Sequence, residues 1–175
     1  MSQIDADSVR LRVEAGSVHD LISDTLRGFQ AQAERAGITL TGAVPPDLPP
    51  TPFDQARIQR VLDDLVGNAL RHTPARGSVT IAATATDGAI TIEVRDTGEG
   101  IDPSDWERVF EPFYRGDAAR SRGAGPGLGL TIARAIVQGH GGTIAIASAR
   151  GQGTTVRLTL PSAGPADPHV VEAPI

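Results

Sequence analysis

Asp96 closes the run Ile90-Thr91-Ile92-Glu93-Val94-Arg95-Asp96, in which every second side chain shares a face. It therefore ends the apolar row Ile90, Ile92, Val94, where a carboxylate is costly unless a donor bonds to it. Taken alone, such an Asp reads first as the opener of a turn before Thr97-Gly98. A second polar group precedes it: Asp64, Asn68 and Arg71, at i, i+4 and i+7, form one strip beside an apolar helical stripe. An amide oxygen such as that of Asn68 is a hard ligand suited to Mg²⁺, which keeps several waters and borrows phosphate oxygens. The plainer reading of Asp64 and Arg71 is a solvated helix pair. Glycines are the third ingredient. Gly98 and Gly100 let the backbone pass close to a bound group because no Cβ intrudes. Gly125, Gly127 and Gly129 run into a helix whose first amides can hold an anion.

These residues need particular elements to hold them. Val9 to about Ala15 alternates enough for a strand, and Ser17 or Asp20 can cap a helix that Gly37 stops after Ala36. Ile38 to Val44 reads as a short strand, and Pro45 to Pro50 as an extended connector. Asp54 caps the helix that carries the polar strip; its apolar stripe is Ile58, Val61, Leu62, Leu65, Val66 and Ala69, and Pro74 ends it by His72. Ser78–Ala85 and Ala89–Asp96 form a hairpin about Asp87-Gly88. A short helix near Asp105–Phe110, a Gly/Arg-rich loop to Pro126 and a helix from Gly127 to about Gln138 follow. Gly141-Gly142 then precedes a closing hairpin, Thr143–Ser148 and Thr154–Leu160. Because strands and helices do not alternate strictly, the pattern predicts an α+β fold, with a mixed, largely antiparallel sheet covered on one face by helices. Residues 1–8 read as an extension, 9–161 as one domain and 162–175 as a disordered tail.

Composition narrows the chemistry further. A chain of 175 residues, 39% of them hydrophobic, suits one domain with a single core. No apolar run reaches the length of a bilayer span and no charged-then-apolar leader opens the chain, so a cytoplasmic place without membrane insertion is expected. There is no cysteine, which excludes disulfides, thiolate metal sites and cysteine nucleophiles. All 16 basic residues are Arg, which rules out a P-loop of the GxxxxGK[ST] type. They are scattered among acids at a net charge of −5, so no nucleic-acid partner is expected. A dinucleotide fingerprint fails too, because Pro103 and Ile132 stand at the third-glycine positions.

Four segments in fixed order carry a resemblance: Asp64-Leu65-Val66-Gly67-Asn68-Ala69-Leu70-Arg71-His72-Thr73-Pro74, then Asp96-Thr97-Gly98-Glu99-Gly100, then Gly125-Pro126-Gly127-Leu128-Gly129-Leu130, then Gly151-Gln152-Gly153-Thr154-Thr155. With Phe110-Glu111-Pro112-Phe113-Tyr114-Arg115 between the second and third, they resemble the nucleotide site of sensor histidine kinases, within the wider group that includes gyrase and the mismatch-repair ATPases. The resemblance implies a two-layer α/β sandwich (the Bergerat fold) with three helices on one face of the sheet, binding ATP with Mg²⁺. It implies that Asp96 accepts from the adenine amino group, that Asn68 holds Mg²⁺, and that Arg71 and His72 line the nucleotide. It implies that the glycine segments, with Ile101, Leu128 and Leu130, cradle base, ribose and phosphates. Arg115 is implied to reach the γ-phosphate from a lid that Phe110 and Phe113 hinge and that is mobile when empty. For Thr154, a nucleotide contact and a plain hairpin role stand side by side.

Two departures from the family pattern matter. Asp64 stands where histidine kinases commonly carry Asn, which suggests a supporting contact. Pro126 removes one amide from the phosphate cradle. The acceptor His of a complete kinase is expected on a separate or excised helical dimer, and beyond it a response regulator. His19, in Val18-His19-Asp20-Leu21, reads instead as a residue of the first helix. An ATPase clamp with Asp64 as base, a serine kinase controlling a sigma factor and a non-catalytic ATP-binding module remain the alternatives.

Overall fold

The computed structural model describes residues 10–114 and 129–165. Helix α1, Val18–Ala36, begins at Ser17, whose side chain accepts from the Asp20 N–H. It ends at Gly37 (φ 69°), where Gly37 N–H bonds to Glu34 and Ile38 N–H to Ala33, satisfying carbonyls the helix leaves open. Helix α2, Gln55–His72, is capped by Asp54, which accepts from Arg57 N–H at 3.1 Å. All six members of its expected stripe are buried. Helix α3, Gly129–Gly139, is the last of the three α-helices among the described residues.

The main sheet holds β2 (Thr39–Ala43), β4 (Ser78–Thr86), β5 (Ala89–Asp96), β7 (Thr154–Pro161) and β6 (Thr143–Ser148), in that spatial order. Only β2 and β4 are parallel; the other three pairings are antiparallel. Val79, Ile81, Ile90, Ile92, Leu158 and Leu160 form the buried face and pack against all three helices, while Thr41, Thr80, Arg95 and Thr84 keep the other face open. The expected α+β sandwich, mainly antiparallel with helices on one face, is thus what forms.

Three local expectations change. The first strand shrinks to β1, Glu14–Gly16, which pairs with β3, Thr51–Phe53, in a separate two-stranded sheet. Arg12 N–H bonds to Asp54 Oδ2 at 2.8 Å and so is not available to a ladder. β3 follows directly on the proline connector. The helix expected at 105–110 resolves into two 3₁₀ turns, Pro103–Asp105 and Arg108–Phe110, as suits a segment too short to nucleate an α-helix. Residues 162–165, placed in the expected tail, continue from β7 as a turn in which Ser162 N–H bonds to Gly88 and Gly164 N–H to Pro161. The remainder of that tail, and the sequence from Arg115 to Leu128, lie outside the described residues.

Candidate functional site

Register places Asp96 at the end of the central strand β5, between Val79 of β4 and Thr154 of β7. It is buried at 8% exposure. Its Oδ1 accepts from Gly98 N–H at 2.8 Å and from Thr154 N–H at 3.2 Å. The first of these bonds is the turn that an Asp in this position was expected to open; the second reaches across 58 residues. Among the described residues no hydrogen bond reaches Oδ2. Burial pushes the Asp96 carboxyl above its ordinary value, opposed by the two N–H donors and the nearby His72 and reinforced by Glu99.

The loop after Asp96 is clamped between two neighbours. A Cβ on Gly98 would stand 2.3 Å from the His72 carbonyl oxygen, and one on Gly100 (φ 74°) would stand 1.9 Å from that of Ala149. The close approach these glycines permit is therefore to the end of α2 and to the β6–β7 hairpin. Glu99 N–H donates to the His72 carbonyl at 3.4 Å, His72 Nδ1 meets Glu99 Oε1 at 3.0 Å, and Gly151 N–H donates to the Glu99 carbonyl at 2.7 Å. Ile101 N–H donates to Ser148 Oγ at 2.7 Å. Neither Glu99 nor Ser148 was singled out from sequence. Glu99 carries no signal beyond lying between two glycines, whereas Ser148 could have been found by pairing the hairpin strands, since it faces Thr154 across the ladder.

On α2, Asp64 and Asn68 are half-buried and Arg71 is exposed. Arg71 Nη2 donates to Asn68 Oδ1 at 3.2 Å, and Asp64 lies 4.0 Å from Arg60. Burial raises the Asp64 carboxyl, with Arg60 and Arg71 opposing and Asp63 adding. A methyl placed on Gly129 would be 3.9 Å from Asp64 Cβ and Cγ, so the start of α3 faces the polar strip. Leu130 packs beside it against the core. Thr131 Oγ1, one residue on, donates to the Phe110 carbonyl at 2.8 Å, and the Arg134 guanidinium lies over the Phe110 ring at 5.0 Å.

The structure thus gathers Asp96, Gly98, Gly100, Ile101 and Thr154 at one end of the sheet and ties them to α2 through His72. Asp64, Asn68 and Arg71 share that helix, against Gly129. Phe110 is buried as expected of an anchor, but Phe113 is 70% exposed at φ 61°. Of the two phenylalanines expected to hinge the lid, Phe110 is thus the one anchored in the core, because the turn at Pro112-Phe113 carries the second ring outward. Arg115, Gly125, Gly127 and Leu128, and with them the expected mobile lid, fall outside the described residues.

Residues 53–164 match the family described as histidine kinase-, DNA gyrase B-, and HSP90-like ATPase. The chain belongs to this ATPase family. The histidine protein kinase DivJ of Caulobacter vibrioides is 37% identical over 161 residues, covering 92% of this chain and 27% of DivJ. The crystal structure of full-length ShkA in complex with AMPPNP superposes with a TM-score of 0.81 at 30% identity, over 92% of this chain and 33% of that one. The catalytic domain of histidine kinase ThkA shares the fold, with a TM-score of 0.75 at 24% identity over 86% of this chain and 96% of that chain. The chain thus spans about a quarter of DivJ and a third of ShkA, and its similarity is to their ATPase portion.

Proposed function

We propose that this domain binds Mg·ATP and transfers the γ-phosphate to a histidine on a helical dimerisation domain, from which a response regulator is served. Asp96 carries the proposal: one carboxylate oxygen is bonded by two backbone N–H groups, and the other is left for a donor. The adenine amino group is such a donor, whereas guanine presents an acceptor at the corresponding edge. Gly98 and Thr154 bond that carboxylate, Gly100 and Ile101 follow in the same loop, and His72 and Arg71 stand on α2 beside Asn68. Gly129 and Leu130 at the start of α3, with Gly125, Gly127 and Leu128 before them in sequence, are the proposed phosphate cradle.

Asn68 fits Mg²⁺. The residue is half-buried and its amide oxygen is held by one exposed Arg. Among the described residues no cluster of three or more His, Cys, Asp or Glu could cage a metal. The ion that suits such a site leaves most of its shell to water and phosphate, as Mg²⁺ does. When bound, it neutralises charge on the β- and γ-phosphates. Arg115 adds charge at the γ-phosphate, and Asp64 supports Asn68 rather than acting as a hydrolytic base. In the transfer, the bond from the γ-phosphorus to the bridging oxygen breaks and ADP departs, while the unprotonated imidazole nitrogen of the acceptor bonds to phosphorus and the proton on its other nitrogen passes to solvent.

The relatives' names favour a histidine acceptor over serine. Radiolabelled ATP with Mg²⁺, this chain and a helical dimer bearing an acceptor histidine should yield label on the dimer that is lost in acid. Acid-stable label would assign a hydroxyl acceptor and overturn the proposal.

A further inference from the structure

Asp96 can select its ligand only if its carboxylate is held in one orientation, and the two N–H groups that hold it belong to separate segments, which the bond from Gly151 N–H to the Glu99 carbonyl joins at one point. Gly98 lies in the loop that runs to Ile101; Thr154 opens β7. Ser148, the last residue of β6, touches both. Its Oγ accepts from Ile101 N–H at 2.7 Å, lies 2.9 Å from the Gly153 carbonyl oxygen as donor, and 2.8 Å from Thr154 Oγ1. With the Ser148 hydrogen given to Gly153 and the Thr154 hydrogen given to Ser148, every polar atom of the group is satisfied. Gly153 itself (φ 80°) packs so that a Cβ would lie 2.0 Å from the Asp96 carbonyl oxygen. The hydroxyl therefore fastens the loop after Asp96 to the strand start that bonds its Oδ1.

We infer that Ser148 is a positioning residue for base discrimination: it keeps Asp96 Oδ1 occupied by backbone and Oδ2 turned toward the ligand. The inference rests on the assignment of Asp96 to adenine. Without the hydroxyl, Ile101 N–H loses its partner, the loop keeps the Gly151–Glu99 bond to the hairpin but loses its second tie beside Thr154, and the carboxylate is held less firmly. Affinity for adenine then falls, while affinity supplied by the phosphates stays.

Calorimetric titration of the purified chain with Mg·ATP and Mg·GTP, for the parent, Ser148→Ala, Ser148→Thr and Asp96→Asn, tests this. Ser148→Ala should lower the ATP-to-GTP affinity ratio about tenfold, the weight of one or two partly buried hydrogen bonds. Ser148→Thr, which keeps the hydroxyl, should restore most of it. Equal loss toward both nucleotides, or an unchanged ratio in a folded Ser148→Ala, would overturn the inference and leave the Asp96 assignment standing. A parent chain that binds both nucleotides equally overturns the Asp96 assignment, and this inference with it. Should Ser148→Ala not fold, amide exchange in the parent decides. Slow exchange at Ile101 and Thr154 that slows further with ATP but not with GTP supports the inference, and exchange indifferent to the base overturns it.

Discussion

Asp96 is buried without a full set of partners, and its raised pKa reflects an unbalanced solvation cost that a ligand donor can offset. Asp96→Asn should weaken ATP binding at least tenfold by titration calorimetry, because its amide would present a donor or a poorer acceptor to the adenine amino group. Thermal unfolding without nucleotide should shift little or upward, since the substitution removes a buried charge. A variant that loses ATP binding only by unfolding would contradict this. Asn68→Ala should leave nucleotide binding without Mg²⁺ nearly unchanged while abolishing its enhancement by Mg²⁺. Titrations with and without the metal separate these effects.

The carboxylate's place on a core face could be read from strand alternation alone. What could not be read is which groups satisfy it. The Asp96–Gly98 bond is local and belongs to any Asp-x-Gly turn, but the bond from Thr154 depends on β7 pairing beside β5. His72 was expected to line a nucleotide; it also forms the bridge from α2 to the loop through Glu99. That second role follows only from where the end of α2 comes to lie.

Elements bounded by strong local signals formed where expected. Ser17, Gly37 and Asp54 act within their own turns, so the ends of α1 and the start of α2 were legible from those residues. β3 was not, because three residues behind a proline run have no pattern of their own and become a strand only by pairing with β1. The same region holds the least exposed titratable group among the described residues. His140, at the end of α3, donates from Nδ1 to the Ile136 carbonyl at 2.7 Å and accepts at Nε2 from Asp54 N–H at 3.0 Å. This pairing requires a neutral ring. Burial holds the His140 pKa below its ordinary value, with the Ile136 carbonyl and Asp54 opposing.

Below about pH 6.5 the unfolded chain therefore binds a proton at His140 that the folded one does not, so the contribution of His140 to stability is flat above that pH and falls as pH drops through it. Urea unfolding at pH 7.5 and 5.5 should show this loss, bounded by about 1.4 kcal/mol per pH unit, and His140→Gln should remove that part of the slope. His140→Ala should cost about 2–4 kcal/mol at pH 7.5, by leaving a cavity and an unpaired Asp54 N–H. Gly100 offers a second test on the other side of the fold. Gly100→Ala should cost about 2 kcal/mol or more, because a side chain there is both strained in φ and driven into the Ala149 carbonyl.

For the molecule as a whole, the proposed activity requires a partner. The purified chain with Mg·ATP should neither label itself stably nor hydrolyse ATP quickly, and should label a histidine-bearing helical dimer added to it. His19→Ala should not alter that labelling, since His19 is an exposed residue in the first turn of α1. Arg115→Ala should slow transfer more than it weakens ATP binding, as expected of a contact that matters most when charge redistributes in the transition state. Equal effects on both would assign Arg115 to ground-state binding.

The order of the four motif segments, the alternation of β4 and β5 and the stripes of α2 were sufficient to indicate the family, the sheet and the expected ligand. Each is a short-range pattern, set by helix and strand periodicity and by glycine and proline stereochemistry. Contacts between segments far apart in the chain were settled by tertiary structure alone. Gly98 and Gly100 are needed because backbone from α2 and from the β6–β7 hairpin lies within a methyl radius of them. Ser148 acquires its three partners, and His140 its bond to Asp54, only when sheet register and helix packing bring separate segments to hydrogen-bond distance. Such bonds are specified by the global fold, and no local periodicity encodes them.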